Sequence, residues 1–340
     1  MLNPLLTSSY DYELPEELIA THPVSPREHA RLLVYNRHNR SIVHSRFDRI
    51  DDFLPEECAI IFNDTKVIKA RLYGRKESGG EIELLINRPL DAFRINVYIR
   101  GRVRAGTVLQ FEGGLRATVL SLHDDGSRDV EFSDAKGPLR FEDLLPLLDE
   151  IGHIPLPPYL GREDNSEDER EYQSVFAVRE GAVAAPTASL HFSDELFRAV
   201  CSRHPHAFVT LHVGSGTFKP VEADVITDHP MHSEYFAIGE EAYALIHSNL
   251  PLLCVGTTST RTVEYHIRTD EREGEANLFL HPHNPPQRVD FLLTNFHLPQ
   301  STLLMLVASF VGIDEMHRIY AEAIEQKYRF FSYGDAMLIL

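Results

Sequence analysis

Residues 79–100 read GGEIELLINRPLDAFRINVYIR. EIELLIN and RINVYIR within this stretch are short strand candidates, and Gly79-Gly80 marks a turn ahead of them. Working outward, TVLQFEG (107–113), LRATVLSLH (115–123) and RDVEF (128–132) are further short strands, punctuated by Gly113-Gly114 and Asp124-Asp125-Gly126. No helix-period segment of useful length interrupts residues 70–134. The run predicts a small antiparallel barrel.

The flanks read differently. RLLVYNR (31–37) and AIIFND (59–64) are strand candidates, and LPEELIATH (14–22) is a short helix candidate. After Phe141 the helix signals return. FEDLLPLLDE is a helix weakened by Pro146, and IGHIPLPPYLG is a Pro-rich joint. Ser166 and Glu169 have capping-box spacing ahead of EYQSVFA. SDELFRAVCSRH, EEAYALIHSN and DEMHRIYAEAIEQKYRF predict amphipathic helices alternating with strands, and the terminal AMLIL completes a sheet. The expected fold class is an α/β (mixed α+β) core domain with an inserted antiparallel β-barrel domain. The expected boundaries are 1–68 for the first core segment, 69–150 for the barrel and 151–340 for the second core segment. A chain of 340 residues, 43% apolar, is long enough for two such cores.

Cys58, Cys201 and Cys254 lie far apart among apolar neighbours, with no CxxC pair, which fits a reducing, cytoplasmic setting. The first residues, MLNPLLTSSYDYELPEE, lack a basic region and a long apolar run, so no signal peptide is expected. The apolar run Leu303–Ile313 suits a buried helix better than a membrane span. The net charge of −18 argues against nucleic-acid binding by itself. Its distribution argues the other way: between Lys66 and Arg104 ten Lys/Arg face four acids, a local balance of +6.

Several clusters invite chemistry. In VTLHVGSGTFKP (209–220) a β-branched run meets Gly214, Ser215, Gly216 and Thr217. Such a loop can turn its N–H groups on an anion, or be a plain tight turn. It matches neither standard nucleotide fingerprint. In CVGTTSTRTVEYH (254–266) the hydroxyls of Thr257 and Thr258 can cap a helix or help bind an anion, with Arg261 completing the charge. Among eighteen histidines, His229 and His232 have a two-residue gap, but no carboxylate or cysteine ligand at zinc spacing accompanies them and there is no HExxH, so no metal is expected. His191, His212 and His297 sit in apolar or strand-like surroundings, where a histidine is either a structural hydrogen-bonding group or a general base. Arg100, Arg102 and Arg104 share period-two spacing, which in a strand puts three guanidiniums on one side, as a phosphate-tracking ridge or as a solvated edge. Asp335, beside Gly334, reads as a turn residue unless a site claims it.

The motifs also stand in a recognisable order. YDYELPEELIATHPVSPREHARLLVYNR (10–37), FNDTKVIKARLYGRK (62–76), GHIPLPPY (152–159), GAVAAPTASLHF (181–192), TLHVGSGTFKPV (210–221), HPMHSEYF (229–236), VGTTSTRTVE (255–264), LLTNFHLPQSTLLMLV (292–307) and YRFFSYGDAMLIL (328–340) closely resemble the S-adenosylmethionine:tRNA ribosyltransferase-isomerases of the queuosine pathway. The resemblance runs from about Tyr10 to Leu340. It implies an α/β core with an inserted barrel. It implies transfer and isomerisation of the ribosyl group of S-adenosylmethionine onto 7-aminomethyl-7-deazaguanine at the tRNA wobble position, giving epoxyqueuosine-tRNA, adenine and methionine. No radical-type cysteine motif and no methyltransferase glycine loop would then be needed.

Such chemistry needs a base to deprotonate the carbon beside the sulfonium and an acid to assist the departing adenine. On the resemblance, His191, His212 and Glu234 are the acid–base candidates. Gly214, Ser215, Gly216 and Thr217 would line the cofactor pocket. Thr257, Thr258 and Arg261 would hold the methionine carboxylate or a tRNA phosphate, and Asn295, His297 and Asp335 would read polar edges of base or ribose. Arg100, Arg102 and Arg104 would contact tRNA phosphates. S-adenosylmethionine is the expected co-substrate and tRNA the expected partner, for a cytoplasmic, metal-independent monomer with no membrane contact and no obligate protein partner. Residues 279–284, FLHPHN, depart from the aromatic, glycine-containing family pattern and leave the local loop shape open. A non-catalytic RNA-binding barrel protein and a metal-dependent hydrolase are the competing expectations.

Overall fold

The core sheet is assembled from strands that are scattered along the chain. In the computed structural model, which describes residues 2–214 and 221–340, these are β1 (Arg31–Asn36), β2 (Ser41–Arg46), β3 (Ala59–Asn63), β4 (His206–Leu211), β5 (Glu234–Ile238), β6 (Leu252–Val255), β7 (Glu273–Ala276), β8 (Phe291–Asn295) and β9 (Ala336–Ile339). They lie in the order β7-β5-β4-β3-β6-β8-β9-β1-β2. The four central strands β4, β3, β6 and β8 run parallel. β5 is antiparallel to β4, and β9 is antiparallel to β8.

Central parallel strands are covered on both faces and therefore read as continuous apolar runs. In β3, Ile60 and Phe62 join one cluster with Phe47, Phe192, Leu253 and Val255, while Ile61, equally buried, faces the other way. Each such fully buried side chain contributes about 1.5–3 kcal/mol. The helix Gly256–Thr269 packs over β3, β4, β6 and β8. The apolar run near residue 303 forms the buried helix Thr302–Val311. No helix among the described residues is long and apolar enough to cross a membrane.

The second unit is the antiparallel barrel. Strands Arg71–Lys76, Glu81–Pro89, Arg94–Arg100, Val108–Gln110, Arg116–Leu122 and Ser127–Asp134 form it, and it closes where Arg116–Leu122 pairs with Ser127–Asp134. Ile82, Leu84 and Ile86 point inward with Ile95, Val97, Val119 and Phe132. Gly74 has a steric reason: a Cβ there would lie 2.5 Å from Gln110 O and 2.6 Å from the Phe111 ring. The helix Phe141–Ile151 plugs the barrel core with Leu144 and Leu148, and accommodates Pro146.

This unit comprises residues 66–170 and 180–184, and the core unit comprises 1–65, 171–179 and 185–340. The stretch after residue 150 stays with the barrel because it is tied to it. Arg71 N donates to His153 O at 3.2 Å, His153 N donates to Arg71 O at 2.9 Å, and Arg71 Nη2 donates to Leu156 O at 3.0 Å.

Three local expectations are corrected. LPEELIATH gives only the short turn of helix Glu16–Leu18. The helix expected over EYQSVFA is absent: the helical turn is Asp168–Glu171, and Asn165, not Ser166, accepts the Glu167 N–H at 2.8 Å. The arginine ridge also fails as a strand. Pairing stops at Arg100, because Gly101 has φ +138° and turns the chain, so Arg102 and Arg104 lie beyond the strand, exposed but off the period-two register.

Candidate functional site at the carboxyl edge of the core sheet

The strand order explains where the polar residues meet. The parallel strands β4, β3, β6 and β8 all end at one edge, where their chain continues into His212–Gly214, Asp64–Thr65, Gly256–Thr258 and Phe296–His297. Antiparallel β5 and β9 begin at that same edge, at Glu234 and just after Asp335. The carboxyl edge of an open α/β sheet is the general location of ligand sites. Residues as far apart in the chain as Asp64 and Asp335 therefore share one rim.

At the β4 end, His212 Nδ1 lies 2.7 Å from Thr65 Oγ1, and its ring stacks on Tyr235 with centroids 5.4 Å apart. Burial, with the positive charge of Arg179, pushes His212 down to about 4. Asp64 is anchored nearby by the Thr210 hydroxyl at 2.6 Å, and burial raises its carboxyl above the ordinary value. Asn63 cross-links the rim, donating to Leu211 O at 3.0 Å and to Thr258 Oγ1 at 3.1 Å. Gly214 N donates to Glu234 Oε1 at 3.0 Å. Ser215, Gly216 and Thr217 lie outside the described residues.

At the β5 end, Glu234 Oε2 forms a buried ion pair with Arg261 Nη1. Arg261 also donates through Nε to Leu278 O at 3.2 Å and through Nη2 to Ala276 O at 3.4 Å. Arg261 thus organises this corner through Glu234 and two backbone carbonyls, where the sequence had suggested that it binds an anion. The corner opens on a shallow, solvent-open pocket lined by His232, Glu234, Arg261, Phe279, Leu303 and Leu306 among others. The divergent 279–284 segment closes on itself, with Asn284 N donating to His281 O at 2.8 Å and Asn284 Nδ2 to Phe279 O at 2.8 Å, and it keeps Phe279 in the pocket wall.

At the β6 end the expected hydroxyl cap does not form. Val255 precedes the helix without a side-chain cap, and the hydroxyls of Ser259 and Thr260 turn back to the carbonyls of Val255 and Gly256 at 2.8 and 3.0 Å. The first-turn N–H groups therefore face the rim without a side-chain acceptor. Gly256 is at φ +91°, a conformation glycine adopts without strain.

At the β8 end, Asn295 Nδ2 donates to Phe331 O at 2.8 Å and Ser332 O at 3.3 Å, which fixes the amide orientation. Its Oδ1 then accepts from His191 Nε2 at 3.0 Å, so the network assigns the Nδ1 of a neutral His191 as the lone-pair nitrogen. Burial lowers His191 to about 4 against the opposing Asn295 bond. His297 is lowered to about 3 by burial, and its Nε2 lies 2.8 Å from Thr294 Oγ1. Asp335 accepts the backbone N–H groups of Arg31 at 2.9 Å and Arg329 at 2.8 Å, which anchors the entry to β9. It is held by its own chain rather than presented to a ligand.

Among the described residues no group of three or more His, Cys, Asp or Glu could hold a metal ion. The His229 and His232 rings stand 6.5 Å apart. The sequence reading missed Asn63, Thr65, Asp64, Arg179 and Tyr235. The FNDT stretch and the tyrosine after Glu234 were their only signal.

An open α/β sheet with a polar carboxyl rim, interrupted by a closed antiparallel barrel, defines a two-unit ligand-binding α/β protein. A family model described as queuosine biosynthesis protein matches residues 7–339, and the chain belongs to that family. It is 62% identical over 337 residues to the S-adenosylmethionine:tRNA ribosyltransferase-isomerase of Sulfurimonas denitrificans, covering 99% of this chain and 98% of that one. The protein of the same name from Nitratiruptor sp. is 57% identical over the whole of both chains. The crystal structure of S-adenosylmethionine tRNA ribosyltransferase from Thermotoga maritima is similar with a TM-score of 0.54 and 33% identity, covering 98% of this chain and all of that one.

Proposed function

We propose that this protein transfers and isomerises the ribosyl group of S-adenosylmethionine onto 7-aminomethyl-7-deazaguanine at the wobble position of tRNA, giving epoxyqueuosine-tRNA, adenine and methionine. The observation that carries the reading is full-length similarity to enzymes of that name, 62% identity in the case of the Sulfurimonas denitrificans protein, beside polar side chains gathered along one sheet edge.

The rim supplies the groups the reaction needs. His191 and His212, neutral at physiological pH because burial lowers both to about 4, are proton acceptors for the acidic carbon beside the sulfonium. Thr65 orients His212 and Asn295 orients His191. The acid that meets the departing adenine is the imidazolium formed at the first step, while the Glu234 carboxylate, held by Arg261, receives the Gly214 N–H and positions that loop. The first-turn N–H groups of Thr257 and Thr258 accept the negative end of the substrate. The apolar pocket beside Glu234 and Arg261 takes the flat or aliphatic part of a substrate. His297 and Asp335 hold the rim in shape. Arg100, Arg102 and Arg104 contact tRNA phosphates, the side chain of Arg100 being 89% exposed. The protein acts in the cytoplasm as a monomer, with S-adenosylmethionine as co-substrate and without a metal.

The test mixes the protein with S-adenosylmethionine and tRNA carrying the 7-aminomethyl-7-deazaguanine base, with and without a chelator. Free adenine, released in step with a ribosyl mass gain on the nucleoside and unaffected by chelator, is expected. tRNA binding without adenine would replace this reading with a binding module, and loss of activity on chelation would replace it with a metal enzyme.

A further inference from the structure

β4 ends at Leu211, but its pairing with β5 runs one residue further. Leu211 stands opposite Phe236, and His212 N donates to Tyr235 O at 2.9 Å. His212 and Tyr235 therefore lie opposite one another across the two strands, with their side chains on the same face of the sheet. There the two rings stack, with centroids 5.4 Å apart and planes 22° from parallel. On its other side Tyr235 pairs with Glu275 of β7, which puts Glu273 on the same face, diagonally across. The Tyr235 hydroxyl donates to Glu273 Oε1 at 2.7 Å.

None of the roles above uses Tyr235 or Glu273. Burial, with the Glu273 bond, raises Tyr235 to about 12, so the phenol keeps its proton at physiological pH and directs it to Glu273. Tyr235 is thus a poor proton donor to a substrate and a well-held ring. His212 has need of one. The contact of its Nδ1 with Thr65 Oγ1 at 2.7 Å holds one edge of the imidazole and leaves the ring free to swing about that edge. A flat neighbour stacked on the imidazole face removes that freedom.

We propose that Tyr235 is the positioning residue of His212: its ring sets the plane of the imidazole, and Glu273 steadies the Tyr235 ring from the next strand. The inference rests on the function proposed above, in which His212 accepts a proton. A reacting group displaced by about 1 Å loses about 10²-fold in rate, so a residue that only holds its plane governs turnover without touching substrate.

Single-turnover adenine release at saturating S-adenosylmethionine and tRNA reads the effect. Tyr235→Leu is expected to slow it by about 10- to 100-fold while the affinities for both substrates change by less than about twofold. Tyr235→Phe keeps the ring and loses only the bond to Glu273, and a loss of about threefold or less is expected. In a His212→Asn background, Tyr235→Leu should slow release no further, because the imidazole it holds is gone. Equal slowing by Tyr235→Leu in both backgrounds, as a general loosening of the fold would give, overturns the proposal. So does normal release in Tyr235→Leu, or a Tyr235→Phe variant as slow as Tyr235→Leu. The underlying function fails in a different way: no adenine from the unaltered protein, or normal release in His212→Asn, removes the proton acceptor and this assignment with it. Should Tyr235→Leu fail to fold, Tyr235→Thr, whose β-branched side chain suits a strand, takes its place with the same expected outcomes.

Discussion

The sheet edge and the barrel surface use charge in opposite ways. At the edge, Arg261 and Glu234 are paired with side chains 9% and 4% exposed. On the barrel, Arg100 is 89% exposed and its nearest carboxylate, on Glu83, is 3.9 Å away. A buried pair is fixed in geometry and costly to break, so it can hold a reacting group in place. An exposed arginine is mobile and screened by salt, which suits a polyanion gripped at many points. In the function proposed above, the core edge carries the chemistry and the barrel grips tRNA, and the contrast in burial fits that division.

The sharpest way to break the contrast is at the pair. Arg261→Ala leaves the Glu234 carboxylate buried without its partner and should lower stability by about 3–5 kcal/mol, read from the denaturant midpoint. A midpoint equal to that of the unaltered protein would remove Arg261 as an organiser. Next in size are the histidines. His212→Asn and His191→Asn should each cut turnover by about 10²–10⁴ while the chain stays folded. Normal turnover in both would dismiss them as proton acceptors.

On the barrel, replacing Arg100, Arg102 and Arg104 with alanine should reduce the salt slope of tRNA binding by up to about three and leave turnover at saturating tRNA intact. An unchanged slope would move the tRNA contacts to another face. The smallest effect is on pH dependence. His191 and His212 are lowered from 6.5 to about 4, so the folded protein holds fewer protons there than the unfolded chain. The stability they contribute is complete above about pH 6.5 and declines as pH falls toward 4. The fall in melting temperature across that window should therefore be shallower in His212→Asn. An identical slope would mean that His212 titrates normally.

The two regions also differed in how well the sequence announced them. The barrel is built from neighbouring strands, so its short apolar runs and glycine turns were enough to predict it. The arginine ridge was the exception, because one positive-φ glycine ended the strand that the spacing had assumed. The core edge depends on strand order, which no local pattern carries. Glu234 and Arg261 were each singled out, yet nothing in the chain said that they face each other. Thr257 and Thr258 were read as caps or anion binders; no side chain caps the helix, and the neighbouring hydroxyls bond back along it. Asn63 and Thr65, two polar residues at the end of an apolar strand, gained a role only once β3 lay between β4 and β6.

The measurement that tests this division most directly is single-turnover adenine release at saturating tRNA. It compares His212→Asn with the variant carrying alanine at Arg100, Arg102 and Arg104. The account predicts a slow core variant and a barrel variant that matches the unaltered protein. A normal core variant beside a slow barrel variant would contradict it.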